Sequence, residues 1–130
     1  MPVAPLAPTD YLDLVRRALA EDVGSGDVTT SATVPAGARA TGILLAKSRL
    51  VVAGLDVARA VFVAVAGDAA IHVDLRTADG DLVGPGTELA IVGGPAAALL
   101  TAERTALNLL QRMCGIATAA RRYVHAAGTR

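Results

Sequence analysis

The order of apolar and polar positions divides the chain near Gly94. Before it, short apolar runs are punctuated by glycine and proline. After it, helical spacing continues to about Ala127. Tyr11, Leu14, Val15, Ala18 and Leu19 form one apolar face and predict a helix from Asp10 to about Ala20. Thr9 is placed to cap it, with Asp10 and Asp13 in the first turn, where the dipole favours acids. Residues 21–27 read as a loop and 28–33 as an extended segment closed by Pro35. Thr41 to Ala46 and Leu50 to Ala53 read as two strands joined near Ser48-Arg49, apolar enough to be buried on both faces. A short helix follows from Leu55 to Val65, with Leu55, Ala58, Val61, Phe62 and Val65 inward. Ala70 to Arg76 alternates, with Ile71, Val73 and Leu75 opposite His72, Asp74 and Arg76, as a half-exposed strand does. Asp79-Gly80 and Gly84-Pro85-Gly86 mark turns, and Glu88 to Val92 is a further strand.

The last segment, from Ala96, predicts a helix broken at Gly115. Its apolar face takes Leu99, Leu100, Ala106, Leu107, Leu110 and Met113, and Glu103 falls within it. Arg104, Asn108 and Gln111 fall on the opposite stripe.

Composition narrows the function classes. The 130 residues are 53% hydrophobic, too apolar for a disordered chain. Twelve basic groups balance twelve acidic ones, which argues against a nucleic-acid module, and three aromatics make no base-stacking platform. One cysteine, Cys114, excludes a disulfide framework and a cysteine-rich zinc site. The first eight residues hold three prolines and no basic residue, unlike a signal peptide, and no run of about 18 apolar residues offers a membrane span. A cytoplasmic chain is expected.

Few residues carry candidate chemistry. Arg104 on a helix could present a guanidinium fork that matches carboxylate or phosphate bidentately; a solvated face is the plainer reading. Glu103, if buried, needs a partner or its carboxyl pKa rises; an ion pair or a general base would follow. Asp22 and Asp27 flank two glycines but lack the ligand density of a calcium loop. His72 and His125 have no second ligand at metal spacing, and Cys114 reads as a small buried hydrophobe. Residues 79–90 have the turn rhythm of a biotinyl or lipoyl carrier, yet Lys47, the only lysine, lacks that motif's flanks.

The ordered set of segments resembles the quinolinate phosphoribosyltransferases. The resemblance is carried by Ala20-Glu21-Asp22-Val23-Gly24-Ser25-Gly26-Asp27-Val28-Thr29-Thr30 and by Val51-Val52-Ala53-Gly54-Leu55-Asp56-Val57-Ala58. Asp79-Gly80-Asp81 with Gly84-Pro85-Gly86 follows, and then Leu100-Thr101-Ala102-Glu103-Arg104-Thr105-Ala106-Leu107-Asn108-Leu109-Leu110 with Gly115-Ile116-Ala117-Thr118. It implies an α+β fold, an antiparallel α/β sandwich over 12–115. Residues 1–11 would be an extension and 116–130 the start of a C-terminal barrel.

The implied activity is transfer of phosphoribose from phosphoribosyl pyrophosphate to quinolinate with decarboxylation. Mg²⁺ would help pyrophosphate leave, with its ligands outside this chain. Arg104 would bind a substrate carboxylate in the adjacent subunit of a homodimer. No catalytic or metal residue is expected within the 130 residues, so the chain alone should not turn over substrate.

Lys47-Ser48-Arg49 and Arg112-Met113-Cys114 depart from the family pattern and leave the subfamily open, including a paralogous group linked to molybdate transport. A stand-alone dimerisation or barrel-capping domain is the alternative. Apolar surface left open where a barrel should pack predicts self-association.

Overall fold

The computed structural model describes residues 7–23, 34–35, 37–67 and 69–128. The predicted 28–33 segment and Asp27 lie outside them. Eight elements follow in order: α1 (Pro8–Val23), β1 (Arg39–Leu45), β2 (Leu50–Val51), α2 (Leu55–Ala66), β3 (His72–Leu75), β4 (Leu82–Val83), β5 (Glu88–Pro95) and α3 (Ala96–Gly128).

Two antiparallel sheets form, ordered β1-β5-β3 and β2-β4. The central strand β5 turns Ala90, Val92 and Gly94 inward. Leu44 and Leu75 flank Ala90 in register, and Gly42 and Val73 flank Val92. Against this face pack Val61 and Phe62 of α2 and Leu99, Ala102, Ala106 and Leu110 of α3. Val15 of α1, 1% exposed, joins the same core. The result is the expected sandwich of antiparallel strands and helices.

Several local expectations change. Helix α1 starts two residues earlier than the Thr9 cap implied. Pro8 takes the first helical position, where its missing N–H costs nothing. The Asp10 carboxylate accepts from the Ala7 N–H at 3.1 Å, while Asp10 N–H donates to Ala7 O at 2.8 Å, so the reciprocal cap lies around Ala7. The helix also runs to Val23, so residues 21–23 are not loop. Strand β1 is not buried on both faces: Leu44 points inward, but Ile43 and Leu45 are each about half exposed, because no second layer of described residues covers the outer face of the sheet.

The largest difference is at Gly115, where α3 continues without a break. A lone glycine costs a helix only about 1 kcal/mol relative to alanine, and contacts on both sides of it outweigh that. The Val51 N–H donates to Thr118 Oγ1 at 2.9 Å, and Thr118 Oγ1 donates to Cys114 O at 2.6 Å. The Ala53 backbone meets Cys114 Sγ at 3.4 Å. A Cβ at Gly115 would meet nothing within 4 Å. Gly115→Ala is therefore expected to stabilise the protein by about 0.5–1 kcal/mol, read as a higher urea midpoint with an unchanged slope.

The start of α2 is closed from a distance. Gly54, at φ 91, has no side chain to cap with. The Asp79 carboxylate, from the predicted Asp79-Gly80 turn, accepts from Gly54 N–H at 3.1 Å and Leu55 N–H at 3.2 Å. That satisfies two orphan amide groups at the helix start. Above Gly54 lies Met113 of α3; a Cβ there would stand 2.6 Å from the Met113 sulfur.

Candidate functional site

Helix α3 positions every candidate group of the C-terminal half. It follows β5 with no intervening residue, and its first amide, Ala96 N–H, donates to Ala38 O at 2.8 Å. Ala102 and Ala106, both 0% exposed, seat the second and third turns against the core. Arg104 lies between them in sequence and on the opposite side, exposed, with Asn108 and Gln111 along the same exposed stripe. Among the described residues Arg104 makes no hydrogen bond or ion pair; the three ion pairs present are Arg17–Asp13, Arg59–Asp56 and Arg76–Asp74. A guanidinium fork on a rigid helix, with its donors unspent, is able to take a carboxylate bidentately.

Glu103 is not within the buried face. It is exposed and lines two openings between α3 and β1, one of about 680 Å³ and one of about 240 Å³. Among the described residues no element covers that flank of α3, so the exposed carboxylate is open to water and needs no partner. The opposite flank is covered by α1, and there the buried polar group is Thr105, 1% exposed. Its hydroxyl donates to Asp22 Oδ2 at 2.7 Å, across 83 residues. The helical spacing carried this pair only weakly: Thr105 stands in the Glu-Arg-Thr run, but nothing local says which flank of the helix is covered. Asp22 is thus a helix-terminal residue engaged with α3, not a free loop carboxylate.

The larger opening brings Lys47 and Arg49 of the β1–β2 connection towards Gln111 and Arg122 of α3, over a floor that includes Leu44 and Leu110. Lys47 is an exposed side chain on this rim. His72 and His125 are exposed and in separate elements. Among the described residues no three His, Cys, Asp or Glu side chains converge on a point that could hold a metal. No described helix is long and apolar enough to cross a membrane.

Cys114 is buried, as expected, between its own helix and the Ala53 backbone. Burial pushes its thiol above the ordinary value of 9.0; the Ala53 hydrogen bond opposes this, and the Asp79 charge adds to it. The native thiol should resist iodoacetamide near neutral pH and become fully reactive in denaturant. The folded state holds this proton more tightly than the unfolded one. The associated stability is therefore present below the ordinary thiol pKa and is lost as pH rises through it towards the raised folded value.

Comparison with known proteins decides the family. The description "Quinolinate phosphoribosyl transferase, N-terminal domain" matches residues 27–114. The chain belongs to this family.

The chain is 48% identical over 107 residues to the nicotinate-nucleotide pyrophosphorylase (carboxylating) of Mycobacterium leprae, covering 82% of this chain and 38% of that protein. It is 41% identical over 121 residues to the chloroplastic nicotinate-nucleotide pyrophosphorylase of Oryza sativa subsp. japonica, covering 91% and 32%. The crystal structure of NadC from Streptococcus pyogenes superposes with a TM-score of 0.89 at 35% identity, covering 97% of this chain and 44% of that one. The nicotinate-nucleotide pyrophosphorylase of Francisella tularensis gives 0.84 at 26% identity, covering 96% and 44%. The quinolinate phosphoribosyltransferase N-terminal domain thus accounts for the fold, and the chain spans less than half the length of these relatives.

Proposed function

We propose that this chain is the N-terminal part of a quinolinate phosphoribosyltransferase, which moves phosphoribose from phosphoribosyl pyrophosphate to the ring nitrogen of quinolinate with loss of carbon dioxide. One observation carries the reading to this chain's own residues: in a member of that family, Arg104 stands exposed and unpaired on the outer side of a helix whose Ala102 and Ala106 are buried against the core. Its role is to bind one carboxylate of the dianionic substrate. The rigid helix places the positive charge before the substrate arrives, so no reorganisation is required when charge shifts in the transition state.

Arg104 faces away from its own core, which supports its delivery to a site built by a neighbouring subunit. The active unit is then a homodimer, working in the cytoplasm. Mg²⁺ would help pyrophosphate leave, held by carboxylates of the rest of the enzyme. This chain's contribution is substrate binding and positioning, and residues 1–130 alone should not turn over. The domain proper is taken as 12–115, with 116–130 leading to a barrel; α3 runs unbroken across that boundary to Gly128.

The test is quinolinate-dependent release of pyrophosphate by the full-length protein, measured beside residues 1–130. Turnover by the longer protein alone is expected. Phosphoribosyl transfer that ignores quinolinate would overturn the reading.

A further inference from the structure

We infer that Thr105 and Asp22 form a positioning pair that sets the rotational angle of α3 at Arg104. The inference rests on the proposed role of Arg104. Thr105 follows Arg104 directly, and its buried hydroxyl donates to Asp22 Oδ2 at 2.7 Å. The neighbouring inward contacts of this turn are Ala102 and Ala106, both 0% exposed. Alanines let the helix come close but have no side-chain shape to resist rotation about its own axis. Leu99 and Leu110 hold the helix a turn or more away on either side; the hydrogen bond is directional and links this turn to the last turn of α1, so it fixes the angle locally where the alanines leave it soft. Asp22 gains as well: a carboxylate at a helix C-terminus faces the unfavourable end of the dipole, and the Thr105 hydroxyl offsets this.

The consequence falls on Arg104 because among the described residues no hydrogen bond or ion pair holds its side chain. An extended arginine carries its guanidinium about 8 Å from the helix axis, so a rotation of about 10° moves the fork by about 1.4 Å. A misplacement of about 1 Å at a reacting substrate can cost about 100-fold. The pair therefore acts on quinolinate binding through Arg104 and leaves the phosphoribosyl pyrophosphate site untouched.

The experiment measures both substrate KM values and the melting temperature of the full-length enzyme for Thr105→Val, Thr105→Ser, Asp22→Ala and, as reference, Arg104→Ala. Valine keeps the shape and removes the donor; serine keeps the donor. The expected result is a quinolinate KM raised about tenfold in Thr105→Val and Asp22→Ala, with the phosphoribosyl pyrophosphate KM within about twofold and Thr105→Ser close to wild type. If Arg104→Ala raises the quinolinate KM while Thr105→Val and Asp22→Ala do not, the pair does not position Arg104 and the inference fails. Equal losses in both KM values with a lowered melting temperature mean a structural bond only, and also overturn it. If Arg104→Ala changes nothing, the role of Arg104 falls, and the pair's role with it.

Discussion

Replacing Arg104 with alanine in the full-length enzyme should weaken quinolinate binding by about 2–5 kcal/mol, the cost of truncating one partner of a desolvated charge pair. That corresponds to a Kd raised by about 30- to 5,000-fold. The unbound protein should be unaffected, because the side chain is exposed and engages no described residue. An unchanged melting temperature beside a large rise in quinolinate Kd, by calorimetry, is the expected pair of results. Arg104→Lys should recover little, since an ammonium group lacks the planar fork that meets both carboxylate oxygens. Wild-type turnover and affinity in Arg104→Ala would remove the substrate-binding role.

Gly54→Ala should be the most destabilising single-methyl change in the described fold, at about 2–4 kcal/mol. Two costs combine. At φ 91 an L side chain is strained by about 1–2 kcal/mol. The new methyl would also stand 2.6 Å from the Met113 sulfur and 3.2 Å from its Cβ, which overpacks the contact between α2 and α3. Denaturant midpoints for Gly54→Ala, Met113→Ala and the double variant test the cause. The double variant should lose less than the sum of the singles, because removing Met113 removes the clash. Additive losses would leave backbone strain as the whole effect. Gly115→Ala, the same chemical change in an open part of α3, has the opposite expected sign.

These two glycines show what the sequence makes legible. Periodicity found α2 almost to the residue, since Leu55, Ala58, Val61 and Phe62 all point inward. It also placed β3, whose Val73 and Leu75 face the core while His72 is exposed. The turns at Asp79-Gly80 and Gly86 were readable because their glycines carry positive φ. At Gly115 the sequence pattern does not separate a glycine that ends a helix from one held inside it. The difference lies in Thr118 and Cys114 meeting β2 and Ala53, contacts more than 60 residues apart in sequence.

The same limit explains the exchange between Glu103 and Thr105. A helical wheel places Glu103 nearer the apolar centre than Thr105. Which flank is wetted depends on α1 covering one side of α3 and an open groove lying along the other. The position of Arg104 was legible as an exposed stripe. The role proposed for it comes only from the family resemblance, because among the described residues no arrangement completes a site around it. The Asp79 cap on α2 was missed for another reason: the usual signal sits beside the helix, and here the carboxylate arrives from 25 residues away.

The strand order β1-β5-β3 has a consequence for the timing of folding. Strand β1 pairs with β5 from Arg39↔Pro95 to Leu45↔Glu88, separations of 95 − 39 = 56 and 88 − 45 = 43 residues. During synthesis at roughly 5–20 residues per second, β1 must wait about 2–11 s for its partner to be made. Through that interval Ile43, Leu44 and Leu45 form an apolar, unpaired stretch of nascent chain, the kind that recruits other chains. Arg39, Lys47 and Arg49 bracket it with like charges, so nascent copies on neighbouring ribosomes repel at the point where they would otherwise stick. Those flanking cations thus guard the strand before β5 exists to pair with it.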